Sequence, residues 1–486
     1  MNVAAVRKRR KLRARIKKGK RRVQRGASLS RKKRRLIRTR KWRKKRNRRL
    51  SSARRLRGFP SAVRSARKNH SSAAPAEHPL SSAITAPNAL QEHSNEHNIN
   101  ASPSELNKDD RFSSNPAPIN FTEKVNTKLI AFYLPQFHSI PENDEWWGEG
   151  FTEWTNTKKA RPLYRGHYQP REPFQFNYYD LRKSKVQHWQ ARLARDYGIY
   201  GFCYYHYWFK GKLLLETPLH NMLASGEPDF PFCLSWANEP WTRNWDGRSD
   251  QVLIPQEYGS RRIWKEHFHY LLNIFNDPRY IRVNNKPLFI IYRAELIEEC
   301  KEMLEYWQRL ARRNGLEGIY FVETMGGFPL ASLDIFDARL QFEPMYTTSH
   351  DVPAHGFHQM YHAVQLMEER SRDLTLVNYD AVWTRILERT FNGSEKKIYL
   401  GGFVDWDNTA RRGKDAFVFQ GASPEKFGHY LRQLVHKANQ LGNEFTFINA
   451  WNEWAEGTYL EPDQKYGYAY LEKVKQVMKP ISKSDS

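Results

Sequence analysis

Two carboxylates stand three residues apart in Trp451-Asn452-Glu453-Trp454-Ala455-Glu456-Gly457, directly after the apolar run Phe445-Thr446-Phe447-Ile448-Asn449-Ala450. A run of that kind reads as a buried strand, so Glu453 and Glu456 fall just past a strand end. If the turn there is helical, both share one face and can act on a single bound group. Two carboxyls in different surroundings divide acid and base work between them, which is what cleavage of a glycosidic bond requires. The flanking indoles, Trp454 among them, offer a face to the C–H surface of a sugar ring, while Asn452 suits its hydroxyls. A strand followed by a solvated acidic turn is the plainer reading. Two indoles and two acids within seven residues weigh against it.

The chemistry needs a scaffold that brings several such ends together. From residue 126 onward, β-rich segments fall near 128–134, 199–207, 231–236, 287–292, 318–323, 337–342, 397–404 and 445–451. Helical patterns lie between them, at Asp180 to Tyr197, Arg261 to Phe275, Glu295 to Asn314 and Pro424 to Leu441. Strands apolar on both faces and separated by helices predict a parallel sheet, and eight such units predict a single (β/α)8 TIM-type barrel with its site at the carboxyl ends of the strands. A doubly wound open sheet is the alternative, but no Gly-rich dinucleotide fingerprint accompanies these strands.

Aromatic and acidic residues recur at nearly every one of those ends. The first strand leads through Tyr133 to His138 and then to Trp147, Glu153 and Trp154; the second ends in Tyr205 and His206. The third gives Trp236, Asn238, Glu239 and Trp241, the fifth Glu323, the sixth Glu343, and the seventh Asp405, Trp406 and Asp407, with Arg411 and Arg412 close behind. One such end would mean little, since a core Trp or a capping Asp explains it. Their recurrence predicts a deep groove for an oligosaccharide or polysaccharide, with the residues just named as substrate contacts. This reading requires no cofactor and no metal.

Charge divides the chain. Residues 1–70 hold 33 of the 80 Lys and Arg and no Asp or Glu, whereas the rest carries 47 basic and 52 acidic residues, a formal −5. The whole-chain value of +28 therefore describes an arm. Like charges with few apolar residues among them cannot collapse, so the arm is expected to be disordered when free, followed by a flexible Ser, Ala, Pro and Asn-rich linker over 71–125 and the barrel over 126–480. Such arms bind RNA, DNA or anionic membranes through their phosphates without reading sequence, and Trp42 is nearly the only residue able to stack on a base. Cys203, Cys233 and Cys300 fit neither a disulfide framework nor a zinc pattern, and no apolar run of membrane-spanning length occurs. The expectation is a reduced, cytoplasmic protein, peripheral at the inner face of the membrane where the arm meets lipid.

The motifs AFYLPQFH (131–138), WWGEGFTEW (146–154), GFCYYHYWF (201–209), WANEPWTRNWDG (236–247), WDNTARR (406–412) and NEWAEGTYLEP (452–462) together resemble the WbsX-like family, itself similar to glycoside hydrolase family 99. The resemblance runs over roughly residues 128 to 478 and leaves the first 125 uncovered. It implies a (β/α)8 barrel acting on glycans, often in lipopolysaccharide or O-antigen assembly. It also implies that Glu453 is the base that deprotonates a sugar 2-hydroxyl to give a 1,2-anhydro intermediate, and that Glu456 is the acid that protonates the leaving oxygen and later activates water. Two other arrangements stay open. Asn238-Glu239-Pro240 resembles the acid/base motif of another large group of retaining barrel glycosidases, which would pair Glu239 with Glu453 or Glu456. Asp405 and Asp407 have the spacing of a metal-binding DxD, with Arg411 and Arg412 for a diphosphate, as a nucleotide-sugar-dependent glycosyltransferase would use. A glycan-binding barrel without catalysis, tethered by the arm, is the third.

Overall fold

The computed structural model describes residues 125–243, 248–351, 374–391 and 393–479, with the backbone alone at 248–250. The basic arm and all but the end of the linker lie outside the described residues. Nine parallel strands form the barrel: β1 (Lys128–Tyr133), β2 (Ile199–Phe209), β3 (Phe232–Trp236), β4 (Lys286–Ile291), β5 (Tyr320–Met325), β6 (Ala338–Gln341), β7 (Lys397–Tyr399), β8 (Gly401–Phe403) and β9 (Phe445–Asn449). They run in the order β7-β6-β5-β4-β3-β2-β1-β9-β8. The seventh expected strand is thus split in two at Leu400. Its first half pairs with β6, Lys397 opposite Ala338, and its second with β9, Gly401 opposite Phe447, so a kinked stretch closes the ring. Glycine makes the kink feasible: a Cβ on Gly401 would sit 1.9 Å from the Gln341 carbonyl oxygen.

Helices α1 (Ser184–Asp196), α2 (Arg261–Phe275), α3 (Cys300–Arg313), α4 (Tyr379–Glu388), α5 (Pro424–Gln440) and α6 (Ala469–Met478) surround the strands. Each buries one stripe. In α2 it is Ile263, Trp264, His267, Phe268, Leu271, Ile274 and Phe275, the three-and-four spacing of an amphipathic helix. Start signals are chemical: Ser423 caps α5 by accepting from the Lys426 N–H, and Pro424 occupies the first turn, where no N–H is needed. Residues 326–337, between β5 and β6, hold no helix, a departure from the eightfold pattern. Twelve residues beginning Gly-Gly and interrupted by Pro329 are too few for a helix and two turns.

Strand alternation decides what reaches the lumen. On β1, Phe132 points inward and packs against Tyr205, Phe342 and Phe447, with ring centroids 5.6, 5.1 and 5.9 Å away. Its neighbour Tyr133 points outward and donates to Gln190 of α1 at 2.7 Å. The three cysteines are buried and unbridged, and Cys203 and Cys233 are register partners on β2 and β3.

The outward face of β2 places His206 against α2, its Nε2 2.9 Å from Nε2 of His267, so one ring donates and the other accepts. Burial, then the charge of His220, pushes His206 down to about 3, and burial drives His267 well below its ordinary value. Both rings are therefore neutral when folded. An unfolded histidine takes a proton near 6.5, so stability is complete above that pH and is lost as pH falls toward 3, by about 1.4 kcal/mol per unit for each imidazole. The melting temperature should drop between pH 6.5 and 5, and His206→Gln should flatten part of the drop. A wild-type melting temperature that stays level across that range would contradict a neutral buried pair.

Candidate active site

Beyond β9 the chain makes a tight hairpin. Asn452–Glu453 pairs antiparallel with Thr458–Tyr459 around a single 3₁₀ turn, Trp454–Glu456. Gly457 closes it at φ +66°, where any Cβ would lie 2.9 Å from Asp407. Only glycine fits that approach. The Asp407 N–H donates to the Glu456 carbonyl at 2.7 Å, which fastens the loop after β8 to this turn. Asn452 is fully buried and braces the hairpin to the end of β1, accepting from the Leu134 N–H at 2.8 Å and donating to the Leu134 carbonyl at 3.0 Å.

Arg411 joins three carboxylates. Its Nη2 donates to Glu153 at 2.6 Å and to Glu453 at 3.2 Å, its Nε to Glu153 at 3.1 Å, and its Nη1 to Glu456. The three acids come from the short helix Glu153–Lys159 after β1 and from the hairpin, and the arginine from Thr409–Arg412 after β8. One cation cannot neutralise three anions. Burial foremost pushes the Glu453 carboxyl up to about 8; Arg411 pulls it down, while Glu456 and Glu153 push it further up. Burial raises Glu153 as well, against the same arginine. For Arg411 burial opposes its charge, yet the three acids outweigh it and hold its proton more tightly than usual.

Tyrosines wall this cluster. Tyr205, Tyr207 and Tyr292 are half-buried, and each hydroxyl is pushed up by burial first. The next contribution is Glu453 for Tyr205 and Tyr207, and Glu239, then Glu456, for Tyr292. Tyr207 meets Trp241 edge-on at 5.3 Å, Trp146 lies 6.5 Å beyond, and the Arg243 guanidinium covers Trp147 at 4.9 Å. Glu239 pairs with Arg293 at the same mouth. Period-two alternation from Tyr205 points to Tyr207; Tyr292 stands one residue past β4, where no sequence pattern singles it out.

The remaining expected contacts go elsewhere. Tyr133, His206 and Trp236 face the helical layer and Glu323 the helix-free segment after β5, because alternation turns every second residue out of the lumen: Trp236 packs on His267 and Trp307, and Glu323 accepts from the Ser332 N–H and Arg339. Asn238 braces β3 to β4 through the Arg293 backbone, donating at 2.7 Å and accepting at 2.8 Å. Trp154 and Trp454 are buried and donate to the Tyr179 carbonyl and to Glu461; Trp406 and His138 are also buried, and burial pushes the His138 imidazole down. Arg412 is exposed. Asp407 accepts from His167 and Gln169, both at 2.7 Å, and from Thr409; burial pushes its carboxyl up, but His167, the Arg171 charge and Thr409 outweigh it and draw it down to about 2. Arg171 holds Asp405 at 2.9 Å. The protein's own donors therefore occupy both members of the expected DxD.

A nearly closed parallel barrel with three carboxylates on one guanidinium at its strand ends, rimmed by tyrosine and tryptophan, defines a TIM-type protein with an acidic, aromatic candidate site. The family model Glycosyltransferase WbsX matches residues 129–474, and the chain belongs to that family. It is 37% identical over 369 residues to Uncharacterized protein WxcX of Xanthomonas campestris pv. campestris and 39% identical over 373 residues to that of strain B100. Those alignments cover 74% and 73% of this chain but 51% and 50% of the relatives, so the chain spans about half their length. Similar solved structures include a GH99 endo-alpha-mannosidase from Bacteroides thetaiotaomicron, at 15% identity and TM-score 0.41, covering 71% of this chain and 95% of that one. Another is a glycoside hydrolase-like protein, at 15% identity and TM-score 0.47, with 75% and 97% covered. Among the described residues no helix is long and apolar enough to cross a membrane.

Proposed function

We propose that this barrel cleaves or transfers glycosidic bonds in a cell-surface polysaccharide, using Glu453 and Glu456. The observation that carries this reading is the single guanidinium shared by Glu153, Glu453 and Glu456 at the carboxyl end of the barrel. A carboxylate pushed up to about 8 is a far stronger base than an ordinary one, which suits removal of a proton from an alcohol. Glu453 then takes the 2-hydroxyl proton, O2 closes on the anomeric carbon, and the departing oxygen takes a proton from Glu456. In the second step water opens the three-membered ring at the anomeric carbon, giving its proton to Glu456 while Glu453 returns one to O2. Three acids around one cation repel a diphosphate, and Arg411 is engaged with them, so the site favours this chemistry over nucleotide-sugar transfer. The basic segment 1–70, on this proposal, attaches the barrel to polyanions. Aryl glycosides and oligosaccharides, with the anomeric form of the first product analysed, test the reading; turnover confined to nucleotide sugars would overturn it.

The base role fixes a pH dependence. The reaction needs one carboxyl ionised and the other protonated, so kcat/KM should follow a bell, level near neutral pH and falling by up to about tenfold per unit above about 8, where the pair loses its last proton. Arg411→Met removes the cation that pulls the Glu453 carboxyl down, and should move this limb upward. A rate that keeps rising well above pH 8 would mean that no protonated carboxyl takes part in the step.

A further inference from the structure

A second cavity, of about 390 Å³, lies beside the hairpin and apart from the Arg411 cluster. Its walls are aromatic: Phe174, Phe176, Trp189 and Tyr468, with Trp454 and Glu461 behind them. Phe176 is 59% exposed, one of few large apolar side chains among the described residues to face solvent so fully. Gln175 and Phe176 both stand at φ +54°, a left-handed conformation that side chains larger than glycine rarely adopt and that recurs where backbone clamps a ligand. The segment is pinned there. The Phe174 N–H donates to the Pro462 carbonyl at 2.9 Å, and the Gln464 N–H donates to the Glu172 carbonyl at 2.9 Å. Phe174 also meets Tyr468 edge-on at 5.4 Å.

At the back, Glu461 is buried and accepts from Gln190, Tyr179 and Trp454, each at 2.7 Å. That fixes the Trp454 indole, whose ring stacks on Tyr459 at 3.8 Å, so the rear wall is rigid and continuous with the turn that carries Glu453 and Glu456. The front is different in kind: Gln175 and Asn177 hold exposed amides on either side of the exposed Phe176 ring. Aromatic faces bounded by amide donors and acceptors match a sugar ring, which has C–H faces and a hydroxyl rim. A phosphate or a carboxylated group would meet no cation in this lining.

We propose that this cavity is a second, non-catalytic binding site for one pyranose unit of a polymeric glycan, holding a distant part of the chain on which the Glu453/Glu456 site acts. The inference rests on the glycan reading of that site. It can be tested with the full chain carrying Glu456→Gln, so that bound polymer is not consumed, by affinity electrophoresis through soluble α-mannan, dextran and lipopolysaccharide-derived O-polysaccharide. At least one polymer should retard the protein. Adding Phe176→Ala or Trp189→Ala should weaken that retardation by about tenfold, the scale of one lost stacking contact with its buried area. In the Glu456 background of the natural chain, the same two substitutions should leave turnover of a short aryl glycoside within about twofold, since a remote contact adds mainly uniform binding. A Phe176→Ala, Trp189→Ala double variant that binds polymer as tightly as its parent overturns the second site. So does a parent that none of the three polymers retards. Turnover of the short glycoside, abolished or not by Glu453→Gln, judges the catalytic reading separately.

Discussion

Glu453→Gln and Glu456→Gln should each lower turnover of a verified substrate by about a hundredfold or more, the contribution of a positioned acid or base. Glutamine keeps the shape and one acceptor oxygen, so Arg411 retains a contact on either side and the barrel stays folded. The exchange also removes one of three carboxyls that compete for a single cation, and the melting temperature should hold or rise. Loss of rate without loss of stability is therefore the expected signature. The double variant should lose little more than the worse single one, because two groups that work in one proton cycle are not additive. Kinetics beside thermal melts decide the matter. Near-normal turnover in both single variants would remove the pair from the chemistry, and a collapse of the melting temperature would recast it as structural.

The barrel was readable because its strands are apolar on both faces and short, a signal that survives without partners: 199–207 and 445–451 lie within three residues of β2 and β9 at either end. What that signal omits is direction. Tyr205 and His206 are neighbours in one motif, yet pleating sends the first into the lumen toward Glu453 and the second out against His267. A list of residues at strand ends therefore mixes two faces, and Trp236 and Glu323 entered it from the outer one. The split into β7 and β8 escaped for a related reason, since Gly401-Gly402 marks a close approach whose partner, the Gln341 carbonyl, is distant in sequence.

Arg411 shows the deeper limit. Its motif was visible, but its role depends on Glu153, 258 residues earlier, and on two acids more than 40 residues later. No periodicity encodes such a meeting. An Arg near an Asp-x-Asp reads naturally as a phosphate ligand, and only geometry turns it toward carboxylates while Arg171, His167 and Gln169 take the aspartates. The Glu453/Glu456 pair was legible because both acids sit in one hairpin, where local spacing and tertiary position coincide.

The arm should show the largest effect of all, in binding to RNA or anionic vesicles. With +33 on residues 1–70 and −5 on the remainder, affinity for polyanions should reside in the arm, and each neutralised phosphate should release a counterion. If six to ten phosphates are engaged, raising salt from about 50 to 200 mM should cost roughly a thousandfold to a hundred-thousandfold in affinity. The contrast between full chain and a chain lacking residues 1–70 isolates this term. Both should bind a short glycoside equally, because the arm's charge acts over a Debye length of about 10 Å at 0.1 M salt and carries no groups suited to a sugar. Their melting temperatures should also agree, since a stretch without acids and with few apolar residues has little to bury. Binding that survives near 1 M salt, where screening leaves about 3 Å, would mean specific contacts rather than counterion release. A barrel that melts earlier without residues 1–70 would overturn the expectation that this segment buries nothing.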